Sequence, residues 1–208
     1  VARLLWLNID GSFDKELSIS GFDNTPFTFQ TDGKILFWTA FGVRRLNPDG
    51  TPDSSFTSPT SAAEWIPDEA HKQRILVQPD GKIVLTGGFL KWGILPRKGI
   101  ARLSANGSFD EAYAPGLQLS GPSYVAPSDS ALSSTGDLIV VGKFSTSFGR
   151  DRGGIVLISP NGNLDETFQF ASEAPNVHRL AVASTPNGNI IYAGGMDYKA
   201  FNPIPGFF

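Results

Sequence analysis

Carboxylates and amides recur at a fixed spacing in this chain, in the pattern Asx-x-Asx-Gly-x-x-Asp. The copies richest in oxygen ligands are Asn8, Asp10 and Asp14, then Asn47, Asp49 and Asp53. Calcium takes about six to eight oxygen ligands, usually with a bidentate carboxylate. Three side chains per turn fall short of that number, so we first interpret the pattern as Asx side chains that bond their own turn. A calcium site at these six residues is the weaker alternative, and no other cofactor is expected.

Other groups with acid–base or metal chemistry are scattered along the chain. The histidines, His71 and His178, are far apart in sequence, and no nucleophile or ligand pair is spaced to act with either. The carboxylates Asp68, Asp129 and Asp151 are expected in loops and form no recognisable acid and base pair. The absence of cysteine excludes disulfides, thiol catalysis and zinc–thiolate sites. We therefore expect a protein that is not an enzyme.

Aromatic clusters after successive strands are the better candidates for ligand contacts. Their members are Phe41, Phe89, Trp92, Phe144, Phe148, Met196 and Tyr198. If these loops emerge on one face, the rings could form apolar platforms for a sugar or a partner protein. The alternative is that they pack between repeats. The tail at 201–208 ends in Phe207 and Phe208, and we expect these rings to dock onto another subunit, because an exposed apolar patch usually marks an interface.

Two phrases, each present four times, must position these residues. The first is a strand, a turn and a strand, as in ILVQPDGKIVLTGG at 75–88. The second is an apolar strand closed by an Asx-Gly turn and an Asp, as in LSANGSFD at 103–110. Asx-Gly is a strong hairpin signal, because both central positions of a type I′ turn need positive φ. Each unit therefore predicts two hairpins, or four strands, with side chains alternating between faces.

The period of the repeat predicts the architecture. The turn glycines of the first phrase, Gly33, Gly81, Gly136 and Gly188, are 48, 55 and 52 residues apart. Roughly 40 to 50 residues is the usual length of a propeller blade. We predict an all-β single domain over 1–208, a β-propeller of about four four-stranded blades, with units at about 3–42, 43–95, 96–150 and 151–200 and then the tail.

Closure of the ring has two alternatives. Strands at 3–18 could pair with the hairpin at 178–196, which would complete a shared fourth blade and remove both sheet edges. Otherwise the chain is an open arc or a segment of a larger ring. Because it begins at Val1 rather than Met, a processed precursor or a piece of a longer chain is expected.

The stretches RLSANGSFDEAY, RRLNPDGTPDSSF and ILVQPDGKIVLTGGF resemble the bacterial delta-60 β-propeller repeat over nearly the whole chain. The chain departs from that pattern where Phe37-Trp38 and Gly142-Lys143 replace a Gly-Gly pair, and where the arginine-leucine stretch is missing after Met196. The resemblance implies a propeller in a large secreted or surface-associated bacterial protein with no assigned catalytic residues.

Charge and hydropathy narrow the function classes. The 17 basic and 20 acidic residues are interspersed and form no basic face, so nucleic acid is not an expected partner. No apolar run of about 18 residues is present to span a bilayer. The preferred hypothesis is a non-enzymatic scaffold that binds a protein partner in a secreted or bacterial cell-surface assembly. The alternatives are a carbohydrate-binding propeller that uses the aromatic loops, and a hydrolase or lyase with a site at the ring centre.

Overall fold

The structure is a computed structural model that describes residues 2–19, 26–39, 42–59, 73–92, 95–97, 99–113, 127–142, 146–147, 150–151, 154–168, 177–185 and 188–195. All regular elements in these ranges are strands, which confirms the predicted all-β class. In the described part of the chain, no helix is long and apolar enough to cross a membrane.

The strands follow the repeat. They are β1 (Ala2–Leu7), β2 (Phe13–Ile19), β3 (Phe27–Phe29), β4 (Ile35–Thr39), β5 (Gly42–Leu46), β6 (Arg74–Val77), β7 (Ile83–Thr86), β8 (Lys91–Trp92), β9 (Leu95–Pro96), β10 (Ile100–Leu103), β11 (Pro127–Leu132), β12 (Leu138–Gly142), β13 (Thr146–Ser147), β14 (Arg150–Asp151), β15 (Ile155–Ile158), β16 (Val177–Thr185) and β17 (Gly188–Gly195). The short hairpins β8–β9 and β13–β14 lie between the second and third strands of their units.

Three sheets share one antiparallel topology and are the blades of the propeller: β3-β4-β5, β6-β7-β10 and β11-β12-β15. After the third strand, an Asx-Gly turn leads to a single bridge, which pairs Leu46 with Pro52, Leu103 with Phe109 and Ile158 with Leu164. In these three blades the bridge stands where the sequence predicts a full fourth strand, whereas in the leading unit the same position is the strand β2. In two of the blades the residue after the bridge, Asp53 or Asp165, starts a turn by accepting the backbone N–H two residues further on.

The blades pack face to face in chain order. The first strands β3, β6, β11 and β16 contact one another in that sequence. One core between the first and second blades contains Leu36, Trp38 and Ile83. The next core, between the second and third blades, contains Val84 and Leu138. Neighbouring residues such as Ile83 and Val84 serve opposite cores because side chains alternate along a strand, and burying each such side chain stabilises the fold by roughly 1.5–3 kcal/mol.

Each end of this row of blades carries half a blade. The leading half-blade, β1–β2, corresponds to a third strand and the bridge that follows, because Leu7 pairs with Phe13 as in the complete blades. The trailing half-blade, β16–β17, corresponds to the first two strands. They pack on the first and third blades through Leu4 and Leu180, respectively. Among the described residues no hydrogen-bonded pairing joins the two half-blades, so closure of the ring within one chain is not shown.

The trailing half-blade is paired one residue out of step with the complete blades. In those, the residue two after the turn glycine pairs with the residue four before it: Ile35 with Phe29, Ile83 with Val77 and Leu138 with Leu132. Ile190 instead pairs with Ala183, which is five before Gly188. Such a slip turns every side chain of a strand to the opposite face. In the described chain β17 has no third strand beside it, so it lacks the pairing that fixes the register of β4, β7 and β12.

Candidate interaction surface

The joint between consecutive units contains a repeated hydrogen bond. A cation of one unit donates to the backbone carbonyl two residues before the turn glycine of the next unit. Lys15 Nζ reaches Pro48 O at 3.3 Å, Arg45 Nη1 reaches Ala105 O at 2.6 Å, and Arg102 Nη1 reaches Pro160 O. In all three joints, therefore, a side chain of one unit is hydrogen-bonded to the backbone at the same position of the next unit's turn.

The second element of the joint is a side chain that covers the turn glycine of the next unit. Leu17 lies over Gly50, Phe56 over Gly107 and Tyr113 over Gly162. A Cβ placed on Gly162 would lie 2.9 Å from the Tyr113 ring, closer than real contacts allow. These glycines also have positive φ, +91° at Gly162, which side chains rarely adopt. Turn geometry and close approach together require glycine at this position.

The two arginines of the joints are buried and make the same contacts. Arg102 donates from Nε to Asp110 Oδ2 at 2.9 Å and from Nη1 to Gln78 Oε1 at 3.2 Å. Arg45 repeats these bonds with Asp53 and Gln30. Each guanidinium also lies over an aromatic ring, Arg45 over Phe56 and Arg102 over Tyr113, the geometry of a cation–π contact. Planar, multidentate contacts of this kind are specific to arginine.

The residues weighed as calcium ligands are bonded within their own turns. Asp10 Oδ1 accepts from both the hydroxyl and the backbone N–H of Ser12, and Asn8 Nδ2 donates to the same hydroxyl. Thr51 bonds Asp49 and Asn47 in the same way. The described residues contain no group of three His, Cys, Asp or Glu side chains placed to hold a metal ion. The geometry of these turns therefore fits the structural interpretation.

Turn hydrogen bonds also lower the pKa of these carboxyl groups. The pKa of Asp10 is lowered chiefly by the Ser12 hydroxyl, and that of Asp49 chiefly by the Thr51 backbone N–H. The Ser55 hydroxyl is the main group that holds the pKa of Asp53 well below its usual range, with further help from Arg45. A lowered pKa stabilises the fold above the unfolded-state pKa, and this contribution is lost as the pH falls through the folded-state value.

Burial raises the pKa of Tyr113. The Arg102 guanidinium lies 4.0 Å from the centre of the Tyr113 ring, and the hydroxyl has no hydrogen-bond partner among the described residues. Loss of hydration raises the pKa of this phenol from 10.0 to about 12. The resulting stabilisation is present in full below the unfolded-state value and is lost as the pH rises through about 12. Two pH units correspond to about 3 kcal/mol.

Replacing Tyr113 with phenylalanine is therefore expected to protect the fold against alkali. At neutral pH the free energy of unfolding should stay within about 1 kcal/mol of the native value, because the lost hydroxyl has no partner among the described residues. Above the ordinary tyrosine pKa, Tyr113→Phe should lose less stability than the native chain. Urea unfolding of the native chain and of Tyr113→Phe at a series of pH values measures this. An equal alkaline loss in native chain and Tyr113→Phe would contradict the assignment.

Two of the candidate ligand aromatics are buried. Phe89 and Trp92 lie in the core between the first and second blades, where both rings contact Trp38. The hairpin β8–β9 brings Trp92 back into this core. The structure thus supports packing between repeats for this pair rather than a platform for a ligand. The other members of the set, Phe41, Phe144, Phe148, Tyr198, Phe207 and Phe208, lie outside the described residues.

A buried carboxylate links three units near their first strands. Asp129 was expected in a loop, but it lies in β11, where Oδ1 accepts from Arg74 Nε at 2.8 Å and from the Ser130 backbone N–H. Its Oδ2 accepts the backbone N–H of Leu180 at 3.1 Å. Both oxygens thus have donors, which fits a structural tie better than a general base. The sequence signal was available, because Arg74 and Asp129 each stand seven residues before a turn glycine, Gly81 or Gly136 in turn.

The leading half-blade exposes three neighbouring apolar side chains, one of them at a position that every complete blade buries. Leu7 is 61% exposed, whereas its counterparts Leu46, Leu103 and Ile158 are 7%, 0% and 0% exposed. Leu5, the next residue on the same face, is 53% exposed, and Phe13, the cross-strand partner of Leu7, is 60% exposed. We call Leu5, Leu7 and Phe13 the leading surface. Three neighbouring apolar side chains in water are typical of a contact surface rather than of a free one.

Further open positions accompany the leading surface. A Cβ placed on Gly11, the turn glycine of the leading half-blade, would meet nothing within 4 Å. Tyr192 of the trailing half-blade is 58% exposed, although its counterparts Phe37, Leu85 and Val140 are buried. Each position corresponds to one that a neighbouring strand or unit covers in the complete blades. Among the described residues, both ends of the row therefore lack a neighbour that the complete blades have.

Comparison with known families finds one that matches three stretches of the chain, residues 30–56, 78–113 and 134–168. That family is described as "Domain of unknown function (DUF5122) beta-propeller". Each stretch begins just after the first strand of a blade and ends at the aromatic joint position, Phe56, Tyr113 or Phe168, so the match covers the second and third strands and the turn that follows them. The match confirms the predicted β-propeller repeat. Among curated proteins, none matches the chain.

Proposed function

We propose that this chain, a β-propeller repeat protein with three stretches that match the DUF5122 family, acts as a scaffold that binds another protein and has no catalytic activity of its own. The observation that carries the proposal is the leading surface, where Leu5, Leu7 and Phe13 are exposed side by side and Leu7 stands at a position that all three complete blades bury. Covering them would remove apolar area from water, and each fully buried side chain contributes roughly 1.5–3 kcal/mol. The hydrogen-bonded joints between consecutive units connect the blades behind this surface.

The polar groups of the described chain support a scaffold more than an enzyme. Asp129 is bonded to donors on three strands, and Arg45 and Arg102 are committed to the joints between blades. Each of these three side chains is therefore already hydrogen-bonded to other residues of the protein. We propose, in line with the resemblance to secreted bacterial repeat proteins, that the scaffold works in an extracellular or cell-surface assembly.

A photo-crosslinking amino acid placed on the leading surface tests the proposal. Benzoylphenylalanine at Phe13 preserves an aromatic side chain and should form a covalent product with the partner when irradiated in the cells that produce the protein. The matched control carries the same amino acid at Glu111, which is exposed on the second unit. Mass spectrometry of the product identifies the partner.

The expected result is a discrete product at position 13 and none at position 111. Equal products at both positions, or none at either, would contradict a binding role for the leading surface. The sugar-binding alternative gains no support from Phe89 and Trp92, because both are buried.

A further inference from the structure

The two half-blades are complementary parts of one blade. A complete blade consists of a first, second and third strand, followed by a bridge. The trailing half-blade has the first and second strands, and the leading half-blade has the third strand and the bridging residue. In the complete blades the third strand always pairs with the outer edge of the second. That edge of β17 is unpaired within the described chain.

The repeat fixes the register in which β17 and β1 would pair. In each complete blade the residue two after the first turn glycine faces the residue four before the second: Ile35 faces Leu46, Ile83 faces Leu103 and Leu138 faces Ile158. The same rule places Leu7 opposite Ile190. Two residues further on, it places Leu5 opposite Tyr192. The second of these pairs brings together Leu5 and Tyr192, which are both exposed.

The turn of the leading half-blade lacks the cover that every later turn receives. Leu17, Phe56 and Tyr113 each lie over the turn glycine of the following unit. The residue at the same position of the third blade, three after its Asp, is Phe168. The unit that follows the third blade is the trailing half-blade, which has no Asx-Gly turn of the second kind among its described residues. Gly11 supplies such a turn, and it is uncovered.

We propose that the partner of the leading surface is a second copy of this chain, whose trailing half-blade pairs with β1 and so completes the divided blade. One chain contains both halves, yet its described strands leave them unpaired while all the intervening joints are formed. Two copies joined head to tail at both ends make a closed ring of three complete blades from each copy and two composite ones. This ring has eight blades, within the usual range of about four to eight, and it leaves no open sheet edge.

Completion of the blade also accounts for the slipped register of the trailing half-blade. Strand register is set by the hydrophobic pattern of the strand and its neighbours, and among the described strands β17 has a hydrogen-bonded neighbour on one edge. Pairing with β1 gives β17 the third strand that holds β4, β7 and β12 in place. The second copy therefore moves β17 into the register of the other blades, which turns Tyr192 inward beside Leu5.

This inference rests on the proposed function, and introduced cysteines test it separately. The native chain has no cysteine, so any disulfide reports the designed pair. One preparation carries Leu5→Cys and another Tyr192→Cys, and the two are mixed and oxidised. We expect a covalent dimer of twice the chain mass of 22.3 kDa as the main product. A mixture of Leu5→Cys with Lys91→Cys, an exposed site on the second unit, should form no covalent dimer after the same oxidation.

The double variant, Leu5→Cys with Tyr192→Cys in one chain, separates the alternatives. An intrachain disulfide in this variant, with no covalent dimer from the mixed single variants, would show that the ring closes within one copy and would overturn the proposal. Failure of every pair to cross-link would also overturn it. If cysteine pairing fails while benzoylphenylalanine at Phe13 captures a different protein, the scaffold function stands and the second copy is excluded.

Discussion

Replacing Arg102 with methionine is expected to lower the free energy of unfolding by about 3–5 kcal/mol, the usual cost of removing one partner of a buried ion pair. Arg102 is 5% exposed and bonds Asp110, the Gln78 amide and the Pro160 carbonyl of the next unit. Methionine keeps much of the apolar stem but leaves those three acceptors without their donor. Denaturation in urea, followed by circular dichroism, measures the change.

The matched control is Arg44→Met, which removes an exposed arginine from the third strand of the first blade. Surface substitutions of this kind usually change stability by about 0.5 kcal/mol or less. Lysine at position 102 should restore only part of the loss, because an ammonium group cannot donate to Asp110 and Pro160 in the planar geometry of a guanidinium. Similar losses for Arg102→Met and Arg44→Met would mean that the arginine does not fasten the second blade to the third.

Replacing Gly162 with alanine is expected to destabilise the joint between the second and third blades. The new Cβ would lie 2.9 Å from the buried Tyr113 ring, which cannot move away without disturbing the core. Overpacking of this kind typically costs about 1–3 kcal/mol. Alanine at a φ of +91° adds about 1–2 kcal/mol of backbone strain. Thermal or urea unfolding of the variant measures the sum.

Gly81→Ala isolates the backbone contribution. Its φ is +82°, but its Cβ would meet only the Ala105 side chain at an ordinary distance of 3.6 Å. The difference between the two variants therefore reports the close approach of Tyr113 alone. The double variant Gly162→Ala with Tyr113→Leu should recover part of that difference, because a smaller side chain leaves room for the methyl group. Equal losses of stability for Gly162→Ala and Gly81→Ala would mean that the packing of Tyr113 on Gly162 does not stabilise the joint.

Local sequence was enough to predict the repeated part of the fold. The Asx-Gly turns set positive φ at Gly50, Gly107 and Gly162, and alternating apolar residues predicted which strands are buried on both faces. The fourth strand was not foreseeable in this way, because its length depends on where Asp53 and its counterparts turn the chain out of the sheet. The burial of Trp92 was equally hidden, since it depends on the hairpin β8–β9 folding back onto the first blade.

The leading surface could not be predicted from residue types, because the exposure of its side chains depends on which strands and units lie beside β1. Leu7 occupies the same repeat position as Leu46 and Leu103, and nothing in its own sequence marks it as exposed. Its exposure follows from the incomplete blade around it. Asp129 shows the converse. A charged residue of this kind is expected in a solvated loop, whereas its position in the sheet buries it and bonds it to Arg74 and to the backbone N–H of Leu180. In a repeat protein, comparing equivalent positions reveals more than any residue considered singly.

Light scattering coupled to size-exclusion chromatography on the native chain measures whether two copies assemble through their half-blades. We expect a mass of twice 22.3 kDa, and a return to the single-chain mass when Leu7→Asp places a charge on the leading surface. Asn106→Asp, which adds the same charge to an exposed turn of the second blade, should leave the dimer intact. A native chain that remains at 22.3 kDa at concentrations on the order of 100 μM, where even weak specific dimers assemble, would contradict this assembly.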